Sequence, residues 1–189
     1  MPARSVPEFI AYAKANPGKL NMSSPGSGST PHVFGELFKM MTGVNMVHVP
    51  YRRVAARLTD MLSGQVQVTF GTSASVIEYV KTGTLRALTV TTARRSELLP
   101  ELAAIAEFVP GYEASAWFGV GAPRNTPPEI VERLSTAINA GLADSRLNAR
   151  LADLGGVALA GSPGDFEKLI AAEIAKWADV VKFSGARAG

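Results

Sequence analysis

Leu20-Asn-Met-Ser-Ser-Pro-Gly-Ser-Gly-Ser-Thr-Pro-His32, running on into Val33-Phe-Gly-Glu-Leu-Phe-Lys-Met-Met41, joins an apolar extended run to an amphipathic one through a turn of Gly, Ser and Pro. Leu20 to Ser24 reads as a strand. From Pro31 the apolar positions Val33, Phe34, Leu37, Phe38 and Met41 recur at helical spacing until Thr42-Gly43 stops them. The same order then repeats: Val44 to Tyr51 is extended, and Leu58, Met61 and Leu62 share a helical face that ends at Gly64. Val66 to Phe70 alternates as a strand does, Val76 to Val80 supports a helix closed by Gly83, and Leu85 to Val90 is extended again. Strands alternating with helices through short glycine joints predict an α/β fold built on a parallel, helix-flanked sheet.

Upstream, Phe9, Ile10, Tyr12 and Ala13 suggest a helix closed by Asn16-Pro17-Gly18. Downstream, the chain is irregular between Arg94 and Gly111, then extended and rich in aromatics from Tyr112 to Ala122. From Thr126-Pro127-Pro128 the pattern turns helical, with one stripe at Ile130, Val131, Leu134, Ile138 and Leu142 and a longer one from Phe166 to Val181. Each begins at a Thr or Ser just before Pro, the signature of an N-cap followed by the first helical residue.

A length of 189 residues suits one domain, or one domain with part of another. The net charge of +3 comes from scattered basic residues, which gives nucleic-acid binding through phosphates no support. With no cysteine, disulfides, thiolate metal sites and cysteine nucleophiles are excluded. The most apolar segments are broken by Gly, Pro or a charge within about ten residues, too soon for a membrane span. No continuous apolar stretch of a secretory signal follows Met1-Pro2-Ala3-Arg4.

The loop from Ser23 to His32 is the strongest candidate site. Glycines let backbone N–H groups converge, the first amides of a helix lack internal partners, and the helix dipole adds partial positive charge. Gly26, Ser27, Gly28, Ser29 and Thr30 can therefore receive a carboxylate or phosphate, or they form a tight connection with an N-cap at Thr30. A nucleotide-hydrolysing loop needs Gly-Lys-Ser/Thr, and no Lys lies between Lys19 and Lys39. The dinucleotide fingerprint fails because Pro31 stands where a third Gly or Ala belongs. Gly-x-Ser-x-Gly is absent too, so a hydrolase would have to use Ser27 with His32 as its base.

His48, between Val47 and Val49, reads as a packed or edge residue of a strand. No His/Asp/Glu spacing suggests a metal site, and no carboxylate pair suggests acid–base catalysis. The run from Tyr112 to Phe118 is expected in a core, where large rings bury most area. Arg52 and Arg53 fit a solvated strand end.

Taken in order, Asn16-Pro-Gly-Lys-Leu20, Ser24-Pro-Gly-Ser-Gly-Ser-Thr-Pro-His32, Val49-Pro-Tyr-Arg52, Leu58-Thr-Asp60 with Leu62-Ser-Gly-Gln-Val66, Gly83-Thr-Leu-Arg-Ala-Leu88, Trp117-Phe-Gly119 and Ala122-Pro-Arg-Asn-Thr-Pro127 resemble the extracytoplasmic solute receptors of the tripartite tricarboxylate transporter, the Bug family. The resemblance implies a periplasmic, two-lobed binding protein of type II fold that captures a small carboxylate or related metabolite, with no catalysis and no cofactor. It implies membrane components of the transporter as partners. Gly26, Ser27, Gly28, Ser29 and Thr30 match the family's carboxylate loop, and Thr72 and Ser73 would face the same cleft.

The resemblance also implies boundaries: residues 5–115 as the second lobe, with the ligand loop, and 116–189 as the C-terminal helical part of an incomplete first lobe. The expected chain is thus a receptor lacking its signal peptide and most of the first lobe. Its apolar stripes would then lack a partner, which predicts a homodimer. Without the other wall of the cleft, a stand-alone fragment could bind nothing tightly. Regulators of the LysR type share the two-lobed fold, but DNA-binding helices and a basic cluster are missing here. The chain also departs from the family pattern at Arg53, Ala56 and Arg57, and at Gln67 and Gly71 where acidic residues are common. If these positions face the cleft, they shift it toward more anionic ligands or spoil the family's usual water network.

Overall fold

In the computed structural model, which describes residues 1–186, β1 (Leu20–Ser24) is the middle strand of a three-stranded parallel sheet of order β2-β1-β3. β2 (Met46–Pro50) pairs along the whole of β1, with Met22 opposite His48, whereas β3 (Val68–Thr69) pairs only at Met22 and Ser23. β1 is buried almost throughout, and its two fully buried serines are hydrogen-bonded, Ser23 Oγ donating to Val68 O at 3.4 Å. The helices α1 (Val6–Ala15), α2 (Thr30–Thr42), α3 (Val54–Leu62) and α4 (Ser73–Lys81) alternate with the strands, as the pattern predicts.

α2 packs closest. Its Gly35 has no Cβ because one would fall onto the Met22 side chain and within 3.1 Å of the Phe70 ring. The helix ends where Gly43 takes a left-handed φ of 70° and returns its amide to Lys39 O at 2.9 Å. Around it lies an aromatic core. The Phe38 ring meets Phe9, Phe70 and Tyr112 at 5.7, 5.6 and 6.3 Å, and the buried Tyr112 hydroxyl donates to Phe34 O at 3.0 Å.

The chain divides into two compact units, one formed by Met1–Ala116 with the segment from Trp177 onward, the other by Trp117–Lys176. The segment from Trp177 joins the first unit: Trp177 stacks on Phe34 at 5.4 Å and Val180 is buried. The second unit holds α5 (Pro128–Leu142), α6 (Ser145–Asp153) and the first part of α7 (Pro163–Ser184). Ser162 caps α7: its Oγ accepts from the Asp165 amide at 3.1 Å while Asp165 Oδ2 accepts from the Ser162 amide at 3.1 Å.

Several expectations fail. Leu85 to Val90 forms no strand: its only β pairing among the described residues is a parallel bridge of Val90 with Ala104, and Leu88 packs against the core. Tyr112 to Ala122 is extended without a ladder, and only Tyr112 of its aromatics is core, while Phe118 is 92% exposed. No apolar stripe marks α6 in the sequence, because its two leucines, Leu147 and Leu151, are diluted by polar residues; what marks it is Asp144, whose carboxylate accepts from the Arg146 and Leu147 amides, both at 2.9 Å.

Candidate functional site

Strand order places the site. The chain leaves β1 toward β2 on one side and returns to β3 on the other, so the reversal falls between β1 and β3. In open α/β sheets, ligands bind beyond the carboxyl ends of the strands at such a reversal. The segments emerging there are the loop 25–29 with the start of α2, and 70–72 with the start of α4. Thr69 Oγ1 donates to Ser23 O at 3.1 Å and ties the two strand ends together.

The loop is held by its own hydrogen bonds. Gly26 O accepts from the Ser29 amide at 3.2 Å and from Ser29 Oγ at 2.6 Å, and the Gly26 amide donates to Ser24 Oγ at 3.1 Å. Gly26 and Gly28 have φ of 151° and 76°, so both shapes belong to glycine. Ser29, rather than Thr30, is the N-cap of α2, and its hydroxyl is turned back into the loop, leaving no side-chain cap on the helix. With Pro31 contributing no N–H, the first-turn amides of Thr30 and His32 are left for an outside acceptor. Ser27 is exposed. Thr72 is the N-cap of α4, but its hydroxyl donates to Ser75 Oγ at 3.1 Å rather than to the helix, and Ser73 is the first helical residue.

The sequence reading missed what lies behind the loop. His32 is 3% exposed, and its Nδ1 accepts the Gly28 amide at 3.0 Å. His48 stacks on His32 with ring centroids 3.7 Å apart, and its Nε2 lies 2.6 Å from Ser24 Oγ. Below them Glu36 Oε1 sits 3.7 Å from His32 Nε2 and 2.8 Å from the Lys39 ammonium. Burial, then repulsion from His32 and Lys39, pushes the His48 imidazole down to about 4; burial also lowers His32, against the pull of Glu36. Ser27, His32, Glu36, Lys39 and His48 line one side of a cavity of about 500 Å³, closed by Phe183 to Ala186. The missed signal was parity. Met22 faces α2 and pairs with His48, so His48 lies on the face that α2 covers.

This arrangement does not serve a Ser27 nucleophile: one His32 nitrogen accepts Gly28 and the other faces Glu36. Among the described residues no group of three or more His, Cys, Asp or Glu is placed to hold a metal ion. Nor do the departures all face the cleft. Gln67 Oε1 accepts from the Asn21 amide at 2.8 Å, at the start of β3, and a side chain at Gly71 would crowd Val76. Arg52 and Arg53 are exposed, as expected, whereas Arg57 is buried and its Nε has no hydrogen-bond partner among the described residues.

Parallel strands ending in an uncapped helix start over a glycine loop are, in open α/β folds, a geometry that can receive a small anion. The chain belongs to the tripartite tricarboxylate transporter family receptors, which it matches over residues 1–185, and that is a family of binding proteins, not enzymes. It is 33% identical to Protein BugT of Bordetella pertussis over 97% of this chain and 56% of that one. Among solved structures it is similar to R. palustris Rpa4515 with adipate, with a TM-score of 0.91 and 41% identity over 98% of this chain and 62% of that one. For MatC from Rhodopseudomonas palustris with bound malate the TM-score is 0.80 and the identity 28%, over 95% and 63% of the two chains. For the periplasmic binding protein BugD the values are 0.84 and 27%, over 99% and 64%. The fold is thus that of the periplasmic Bug proteins over about 60% of their length, and the chain spans about half the length of the curated relative. No described helix is long and apolar enough to cross a membrane.

Proposed function

We propose that this chain is a periplasmic solute receptor that takes a small carboxylate at Gly26, Ser27, Gly28, Ser29 and Thr30, with Thr72 and Ser73 as further polar contacts, and delivers it to the membrane components of a tripartite transporter. The observation that carries this reading is the start of α2, uncapped by any side chain and set over a glycine loop at the reversal between β1 and β3. Adipate and malate in the similar structures support the ligand class. In this reading the unit from Met1 to Ala116 is the lobe bearing the loop, and the unit from Trp117 to Lys176 belongs to the other.

Calorimetry with adipate and malate near neutral pH tests it. Saturable binding is expected, weakened but not abolished by Ser27→Ala; a preference for neutral or cationic solutes contradicts it.

Self-association is the second reading. Ile130, Leu134 and Ile138 of α5 are exposed along one stripe, with Val157 and Leu159 85% and 72% exposed, an apolar surface suited to a second copy of the chain. A dimer at micromolar concentration by light scattering is expected, and a monomer contradicts it.

A further inference from the structure

We propose that His32 and His48 form a clamp that holds the ligand loop in its carboxylate-accepting shape, and that gaining a proton on either ring releases the loop and the solute. This rests on the receptor reading above and deepens it by assigning the loop its positioning residues and the receptor an acid-driven release.

The two rings hold the loop at its two ends. At one end Gly28, in its left-handed conformation, donates its amide to His32 Nδ1 at 3.0 Å. At the other, Ser24 Oγ accepts the Gly26 amide at 3.1 Å and donates to Gly26 O at 3.0 Å, so His48 Nε2, 2.6 Å away, is the donor to that hydroxyl, and a further proton on His48 acts through the stack with His32 rather than by breaking this contact. Ser24 is fully buried, so this hydroxyl has no water to exchange partners with. Stacking at 3.7 Å and 24° joins the two ends into one body.

The tautomers follow from these partners. An acceptor for Gly28 carries no proton on Nδ1, so the His32 proton is on Nε2, the nitrogen directed at Glu36. A second proton on His32 would enter at Nδ1, where it would face the Gly28 N–H, donor against donor. A second proton on His48 would place a cation against the stacked face of His32.

The surrounding groups give that charge little relief. On α2, Glu36 is the nearby carboxylate and already holds Lys39 at 2.8 Å, and Lys39 repels a further positive charge. Among the described residues lining this cavity, the loop contributes Ser27, and the end of α7 with the two residues after it contributes Phe183, Ser184, Gly185 and Ala186, none of them titratable in this range. Burial and these neighbours lower both imidazoles, so the clamp is closed near neutral pH. Opening it moves the amides that a carboxylate needs, which is how a proton and a solute come to compete without touching.

The test uses the full chain, adipate as the probe, and a second readout without ligand. In nitrogen-15 spectra the Gly28 amide is expected to shift with a single midpoint below pH 6.5, together with the His32 ring, and to show a coupling across its N–H···N bond only above that midpoint. Adipate affinity is expected to fall at least about twofold further between pH 7.5 and pH 4, where His48 is half protonated, in the natural chain than in the His32→Asn/His48→Gln variant. Adipate's own protonation acts equally on both proteins. Asn keeps an acceptor in the place of Nδ1 and does not titrate, so His32→Asn is expected to restore most of the affinity that His32→Ala loses.

A Gly28 amide that stays still while the imidazoles titrate overturns the clamp, as does an equal loss of affinity in the double variant. If adipate fails to bind at pH 7.5, the receptor reading loses its support, and the Gly28 titration alone still decides the clamp.

Discussion

Acidification is expected to destabilise this protein through His48. The imidazole falls from an ordinary 6.5 to about 4 in the fold, so the neutral form is the one that folding favours. The stabilisation is present above the unfolded value of 6.5 and is lost as the pH falls toward 4. A gap of this size is worth about 3 kcal/mol when fully expressed. Because His48 is only half-buried, solvent screening trims it to about 2 kcal/mol, most of it gone by about pH 4.5. For a chain of this length that is about 4–8 °C in melting temperature. The assay compares melts of the natural chain and His48→Gln between pH 7.5 and pH 4.5, since Gln keeps a polar group near Ser24 Oγ and does not titrate. The natural chain is expected to lose about 2 kcal/mol more than the variant over that interval. Equal losses would show that burial does not hold His48 neutral in the fold, and the reasoning would fail.

Other consequences concern packing. Gly35→Ala places a methyl on Met22 and Phe70, and is expected to lower stability by about 1–2 kcal/mol although Ala is the better helix former, read by denaturant unfolding. Tyr112→Phe leaves Phe34 O with one partner fewer in a buried site, a loss of about 1 kcal/mol in the same assay. Arg57→Met removes a guanidinium that burial pulls below its ordinary value and whose Nε has no acceptor among the described residues; a gain of about 1–3 kcal/mol is expected, and a lower melting temperature would mean that the charge has a partner when folded.

The strand, loop and first helix were legible because punctuation is local. Pro25, Gly26 and Gly28 break the strand, and Gly43 ends the helix through its own backbone conformation. Arg57 was not legible, since the stripe of Leu58, Met61 and Leu62 suggested a different buried face, while the structure buries Arg57 and leaves Leu62 half exposed. Leu85 to Val90 has strand composition, yet a strand exists only where a neighbour pairs with it, and composition does not supply the neighbour. The candidate loop was readable from its glycines, but its support was not. His32 and His48 are brought together by the register of β1 with β2 and the side on which α2 crosses. Read alone, His48 was a packed strand residue, which it is, and the partner that makes it part of the site lay on another element.

The central claim is that the loop from Gly26 to Thr30 receives a carboxylate. Its most direct measurement is an amide-shift map of the full chain titrated with adipate near neutral pH. The account predicts saturable shifts at Gly26, Ser27, Gly28, Ser29, Thr30 and His32, with smaller ones at Thr72 and Ser73. Shifts confined to the unit from Trp117 to Lys176, or none at saturating adipate, would contradict it.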